Sequence, residues 1–299
     1  MIKPPALVKG DKIGLIAPAR KITQEEIQPA VEMIRSEGFV PVYDERLFAA
    51  YHQFAGDDKA RADYIQGMLD DSETKAVFSV RGGYGSVRII DLLDFTTFIA
   101  KPKWFAGYSD VTVFHSHINR VCGIQTLHAT MPLNFTGNTE KALNLLFEIL
   151  EGKSPEYQTK NHLLNRKGTA GATLTGGNLS VLYSLLGSRS FPETEGNILF
   201  IEDLDEYLYH VDRMMMALSR AGILSGLKGL IVGGMTEMND NETPFGKIAE
   251  QIIREAVDPY DFPVCFGFPA GHIDNNLPLI MGAQIKMEVA DQTRITFTK

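Results

Sequence analysis

Cysteine is almost missing: Cys122 and Cys265 are the only two in 299 residues, far apart and each in apolar sequence. They supply neither a disulfide framework nor a thiolate zinc site, and read as buried free thiols of a reducing compartment. Long apolar runs are missing too. No uncharged, continuously apolar run reaches the ~18 residues a membrane span needs. The N-terminal segment is interrupted by Pro4, Pro5, Lys9, Asp11 and Lys12, so it has no apolar core of a signal peptide, and a cytoplasmic location without membrane partners is expected. Basic charge is in deficit, 29 Lys and Arg against 37 Asp and Glu for a net charge of −8. That excludes the footprint of a general nucleic-acid binder, while a locally positive pocket for an anionic small substrate stays open. The chain has no Gly-x-x-x-x-Gly-Lys-Ser/Thr and no His-Glu-x-x-His, so neither a P-loop nor a metal-hydrolase constellation is expected, and no cofactor is implied.

What is present is an alternation of strand-like and helix-like segments. Lys12 to Ala17 is a short apolar run stopped by Pro18. Thr23 with Glu26 forms a capping-box pattern that opens a helix ending at Gly38. Strands are expected at 39–43, 76–80 and 104–108, with helices at 57–69, 86–92 and from Val111 onward. The apolar rhythm weakens between Glu151 and Lys167. A strand at 198–201, a helix at 207–221, a strand at 230–234 and an antiparallel tail from Pro278 to Thr298 follow. Length and pattern together predict two domains. The first, 1–153, reads as a mostly parallel α/β domain of Rossmann or flavodoxin-like type. Residues 154–169 read as a linker, and 170–299 as a smaller α/β domain with antiparallel strands.

The most informative stretch is Phe105-Ala106-Gly107-Tyr108-Ser109-Asp110-Val111-Thr112. A strand that ends in Gly-x-Ser and turns straight into a helix exposes the Ser109 hydroxyl on a corner. The Asp110 N–H would then lie at the helix start, where unpaired donors favour developing negative charge. A helix cap made by Ser109 or Asp110 accounts for the same residues. Arg81-Gly82-Gly83-Tyr84-Gly85 follows a strand. It fits a tight turn, an anion or oxyanion cradle, or a nucleotide pocket, although the dinucleotide fingerprint is incomplete. His115 and His117 point to different helix faces and cannot chelate one metal together, and His128 could line a pocket. His272 follows a strand on the loop Ala270-Gly271-His272-Ile273-Asp274, where a scaffold presents functional side chains. Glu202 closes the apolar strand Leu199-Phe200-Ile201, a position from which α/β folds expose reactive groups, but it could equally belong to the acidic start of the next helix.

Six segments in order resemble the LD-carboxypeptidases, a family of serine peptidases that includes murein tetrapeptide carboxypeptidases. They are Gly10-Asp11-Lys12-Ile13-Gly14 with Ala17-Pro18, Arg81 to Gly85, Gly107 to Thr112, Gly176-Gly177-Asn178-Leu179, Ile201-Glu202-Asp203 and Gly271-His272. The resemblance covers nearly the whole chain. It implies Ser109 as nucleophile, His272 as general base and acid, and Glu202 as the group orienting the imidazole. It further implies an oxyanion hole from the backbone N–H groups of Gly83 and Asp110. Arg81, Gly82 and Asn178 are the candidate substrate contacts, Arg81 for the substrate carboxylate because it begins the glycine turn. Cleavage of D-alanine from a murein tetrapeptide by a homodimer is the implied activity. A branch conferring immunity to microcin C, acting on peptidyl-nucleotide or acyl-sulfamoyl adenylate analogues, is the implied alternative. A binding module holding a nucleotide or phosphate at Gly82–Gly85 without chemistry is the reading of a different class. Ala129-Thr130 departs from the Gly-Pro of many relatives.

Overall fold

Capping chemistry sets the first helices. Thr23 and Glu26 form a complete capping box at the start of Gln24–Ser36, and the Asp57 side chain accepts the Ala60 N–H at the start of Asp58–Asp70. These helices flank strands whose residues are buried on both sides, the signature of a parallel sheet covered on both faces. The structure is a computed structural model and describes residues 1–298.

Two sheets organise the chain. In the first, β1 (Lys12–Ile16), β2 (Val40–Val42), β3 (Thr74–Ser79), β4 (Trp104–Gly107) and β5 (Thr126–His128) are parallel, in spatial order β5-β4-β3-β1-β2. The order reverses between β1 and β3. The loops leaving those two strands therefore diverge, opening the crevice in which α/β sheets bind ligands. The second sheet contains β6 (Glu156–Lys160), β7 (Gly168–Asn178), β8 (Ile198–Leu204), β9 (Gly229–Thr236) and β10 (Val264–Cys265). β11 (Leu279–Met281) belongs to the first sheet, and β12 (Gln284–Val289) and β13 (Gln292–Phe297) to the second. β7 changes partner midway. Its first half pairs antiparallel with β12, and its second half pairs parallel with β8. The second domain is thus half parallel and half antiparallel, with the hairpin β12–β13 where the alternating tail predicts it.

The structure departs from expectation in three places. Residues 154–169, read as a linker, carry the edge strand β6, which pairs with β13; its inward Tyr157 is buried, and one buried residue among polar neighbours is too sparse a pattern to stand out. The C-terminal portion is also not self-contained. β11 returns to the first sheet and pairs antiparallel with β5, Leu279 opposite His128. The strand that precedes the His272 loop, read from the sequence as Val264 to Phe268, stops at Cys265, because Gly267 adopts φ +67° and turns the chain. Both cysteines are buried and free. No helix among the described residues is long and apolar enough to cross a membrane.

Candidate active site

β4 delivers Ser109. Val111 crowds Gly107, where a Cβ would stand 2.9 Å from a valine methyl, and the chain then turns so sharply that Ser109 adopts φ +64°. A left-handed non-glycine residue costs about 1 kcal/mol or more, and such strain gathers at functional positions. Helical residues follow at once, Ser109–Val111 and then Thr112–His117. Among the described residues the Ser109 hydroxyl has no hydrogen-bond partner, and neither the Asp110 nor the Gly83 N–H donates to another group. Fully buried His115 supports the end of β4. Its Nε2 lies 2.8 Å from the Gly107 carbonyl, which can only accept, so that nitrogen carries the proton. Burial holds its pKa down to about 4.

The glycine turn after β3 packs directly on this corner. A Cβ on Gly82 would lie 3.3 Å from Ser109 Oγ. Buried Asp110 accepts the Ser86 N–H at 2.9 Å. Burial pushes its carboxyl up, opposed by the hydrogen bonds from Ser86 and Gly85 and by the Arg61 charge. Arg61, itself buried, donates to the carbonyls of Pro18 and Gly85. Asp110 and Arg61 therefore clamp the turn between the β1 loop and the serine corner. The helical pattern around Arg61 gave no hint of this role, since its partners lie 24 and 43 residues away. The Arg81 guanidinium is engaged elsewhere, donating to Lys21 O at 3.2 Å with Glu26 at 3.6 Å.

The second domain meets the corner at the end of β7. Thr112 Oγ1 accepts the Asn178 N–H at 2.9 Å, and a Cβ on Gly177 would collide with the Thr112 side chain at 2.4 Å. Asn178, expected as a substrate contact, has its side chain buried and occupied. Its Oδ1 caps the helix Leu179–Leu185, and its Nδ2 donates to Asp203 at 2.8 Å. It acts as the joint between the domains. Asp203 also accepts the Ser180 N–H, and burial, with the neighbouring Glu202 charge second, pushes its carboxyl up to about 7.

β8 carries Glu202, which is fully buried, to meet His272. His272 Nδ1 donates to Glu202 Oε2 at 2.7 Å, while Oε1 has no partner among the described residues. Burial opposes the imidazolium most strongly, yet the Glu202 charge and hydrogen bond, with Asp203 and Glu237, raise the His272 pKa above its ordinary value. The His272 loop is held from both domains. The Thr139 N–H and Asn138 Nδ2 donate to Asp274 O at 3.0 and 2.9 Å, and β11 anchors the chain just beyond. The His272 ring lies 4.8 Å from that of Tyr108, the residue before Ser109. Together they face a cleft of about 220 Å³, lined also by Asn134, Asn138 and Asp274. Thr130 of the departing Ala129-Thr130 pair bonds to Asn138 at this cleft. His128 is fully buried, its ring next to those of Tyr108 and Phe200. Among the described residues no three His, Cys, Asp or Glu side chains gather as a metal site requires.

Gly271 is where this geometry is most sensitive. At φ +110° a Cβ would stand 2.6 Å from Glu202 Oε2. Gly271→Ala is expected to push the carboxylate off the imidazole, lowering stability by about 1–3 kcal/mol and turnover by about 100-fold. Thermal unfolding and an activity assay check the two effects separately.

The sequence matches the LD-carboxypeptidase N-terminal domain over residues 13–129 and the LD-carboxypeptidase C-terminal domain over residues 171–287. The chain belongs to the LD-carboxypeptidase family and is a peptidase. It is 32% identical over 98% of its length to a Bacillus subtilis protein named "probable murein peptide carboxypeptidase", of which it covers 93%. The crystal structure of a muramoyltetrapeptide carboxypeptidase from Oxalobacter formigenes superposes with a TM-score of 0.88 at 26% identity, covering 96% of this chain and 99% of that one. The microcin C7 self-immunity protein of Escherichia coli is 24% identical over 98% of this chain and 94% of its own; one of its structures holds glutamyl sulfamoyl guanosine.

Proposed function

We propose that the protein is a metal-independent serine LD-carboxypeptidase that removes the terminal D-alanine from the murein tetrapeptide L-Ala-D-Glu-meso-diaminopimelate-D-Ala. The observation that carries this reading is the His272–Glu202 pair at 2.7 Å, held by strands of both domains beside the strained Ser109 corner. His272 Nε2 takes the Ser109 proton as Oγ attacks the carbonyl at the L centre of diaminopimelate. The oxyanion that forms is received by the Gly83 and Asp110 N–H groups, which are otherwise undonated among the described residues. The imidazolium then gives its proton to the leaving D-alanine amine, and the C–N bond breaks. Water, deprotonated by the same imidazole, releases the acyl group and restores Ser109. Glu202 keeps the proton on Nδ1, so that Nε2 is the basic nitrogen. The nucleophile comes from the first domain and its base from the second. A cytoplasmic homodimer acting in murein recycling completes the proposal, with a small peptide as its partner.

The test is D-alanine release from the tetrapeptide by purified protein in excess chelator. Turnover unchanged by the chelator is expected; chelator-sensitive turnover would contradict the serine mechanism. The likeness to the microcin self-immunity protein supports a second reading, hydrolysis of an acyl-sulfamoyl adenylate. Cleavage of that compound without any release of D-alanine would favour it.

A further inference from the structure

The crevice between the loops after β1 and β3 is the ligand site expected of an open parallel sheet, and one arginine there is unengaged. Arg20 leaves β1 at Pro18-Ala19, is exposed, and its guanidinium has no hydrogen-bond or ion-pair partner among the described residues. Its stem crosses the glycine turn. A Cβ on Gly83 would stand 2.7 Å from Arg20 Cγ and Cδ and 2.9 Å from Nε. Only glycine leaves room for the arginine to lie there. With Lys21, Gln53 and Arg81 it lines a pocket of about 190 Å³. Arg81 is already bound to Lys21 O and faces Glu26, so Arg20 is the guanidinium left to meet a ligand.

The two flanks of Ser109 differ in charge. The cleft on the His272 side has Asp274 and two asparagines but no lysine or arginine in its lining, whereas the pocket on the Arg20 side is lined by Arg20, Lys21 and Arg81 with Gln53. A carboxypeptidase substrate ends in a free carboxylate one residue beyond the scissile carbonyl, within about 4 Å of it along the chain. The carbonyl must touch Ser109 Oγ, which lies against Gly82, and Arg20 overhangs the next residue. We infer that Arg20 holds the terminal carboxylate of the peptide substrate, and so makes the enzyme an exopeptidase. A planar guanidinium suits that task because it can grip both carboxylate oxygens at once. The inference rests on the peptidase reading above and adds the residue that sets its end-specificity.

The test compares the tetrapeptide free acid with its C-terminal amide, for wild type, Arg20→Ala and Arg20→Lys. Wild type is expected to favour the acid. Arg20→Ala should raise KM for the acid by about 10- to 100-fold with little change in kcat, leave the amide unaffected and so erase the preference; Arg20→Lys should restore part of it. Circular dichroism confirms the fold, which an exposed side chain does not support. Equal turnover of the acid by wild type and Arg20→Ala, or equal losses on acid and amide, would overturn the inference alone. A wild-type protein that releases no D-alanine would overturn the functional reading and this inference with it.

Discussion

Ser109→Ala is expected to lower D-alanine release by about ten-thousandfold or more while the protein stays folded, because members of such a constellation act as a unit and losing one removes the whole covalent route. The structure separates the two effects. The Ser109 hydroxyl bonds to nothing among the described residues, so its removal leaves no orphaned partner. The strained φ of +64° belongs to the backbone and persists with alanine. An unchanged melting temperature beside abolished turnover is therefore the predicted pair of results. A modest, severalfold loss would show that another group attacks the substrate.

Glu202→Gln should cost about a thousandfold or more in kcat, even though its shape is nearly that of the native residue. The amide can turn its NH2 toward His272 Nδ1, which then must accept, leaving the proton on Nε2 where the base is needed. The pH dependence gives an independent sign. In the native protein burial disfavours the charged ring, but Glu202 together with Asp203 and Glu237 more than compensates, so the His272 pKa is raised. Since only neutral imidazole can take the serine proton, activity should fall as pH drops through that raised value. In Glu202→Gln this limb should move to lower pH. The same shift links to folding. A raised folded-state pKa contributes stability that is fully present below the unfolded value of about 6.5 and is lost as pH rises through the folded value. Denaturant midpoints measured across that window should show this decline in wild type, and a smaller one in Glu202→Gln.

Much of this was legible in the chain because the signals are local. A capping box predicts the helix Gln24–Ser36, and Gly-Tyr-Ser-Asp after an apolar strand predicts the corner at Ser109. The loop Gly271-His272 stands out because a strand precedes it. The parts that were not legible depend on pairings across the fold. Nothing near Arg61 announces the carbonyls of Pro18 and Gly85, and nothing near Asn178 shows that its amide is bound to Asp203 rather than turned to a substrate. β11 is three residues long, and its return to the first sheet is what ties the His272 loop to the serine domain. Proximity to the glycine turn in sequence favoured Arg81; in space Arg20 overlies Gly83, and Arg81 is taken up by Lys21 and Glu26.

On the proposed function, this site cuts the bond between an L centre and a terminal D-alanine. The most direct measurement offers wild-type protein two tetrapeptides that differ only in the configuration of the last alanine, and quantifies the free amino acid released. D-alanine in equal amount to tripeptide, and almost no L-alanine, is the expected result. Equal release from both peptides, or none from either, would contradict it.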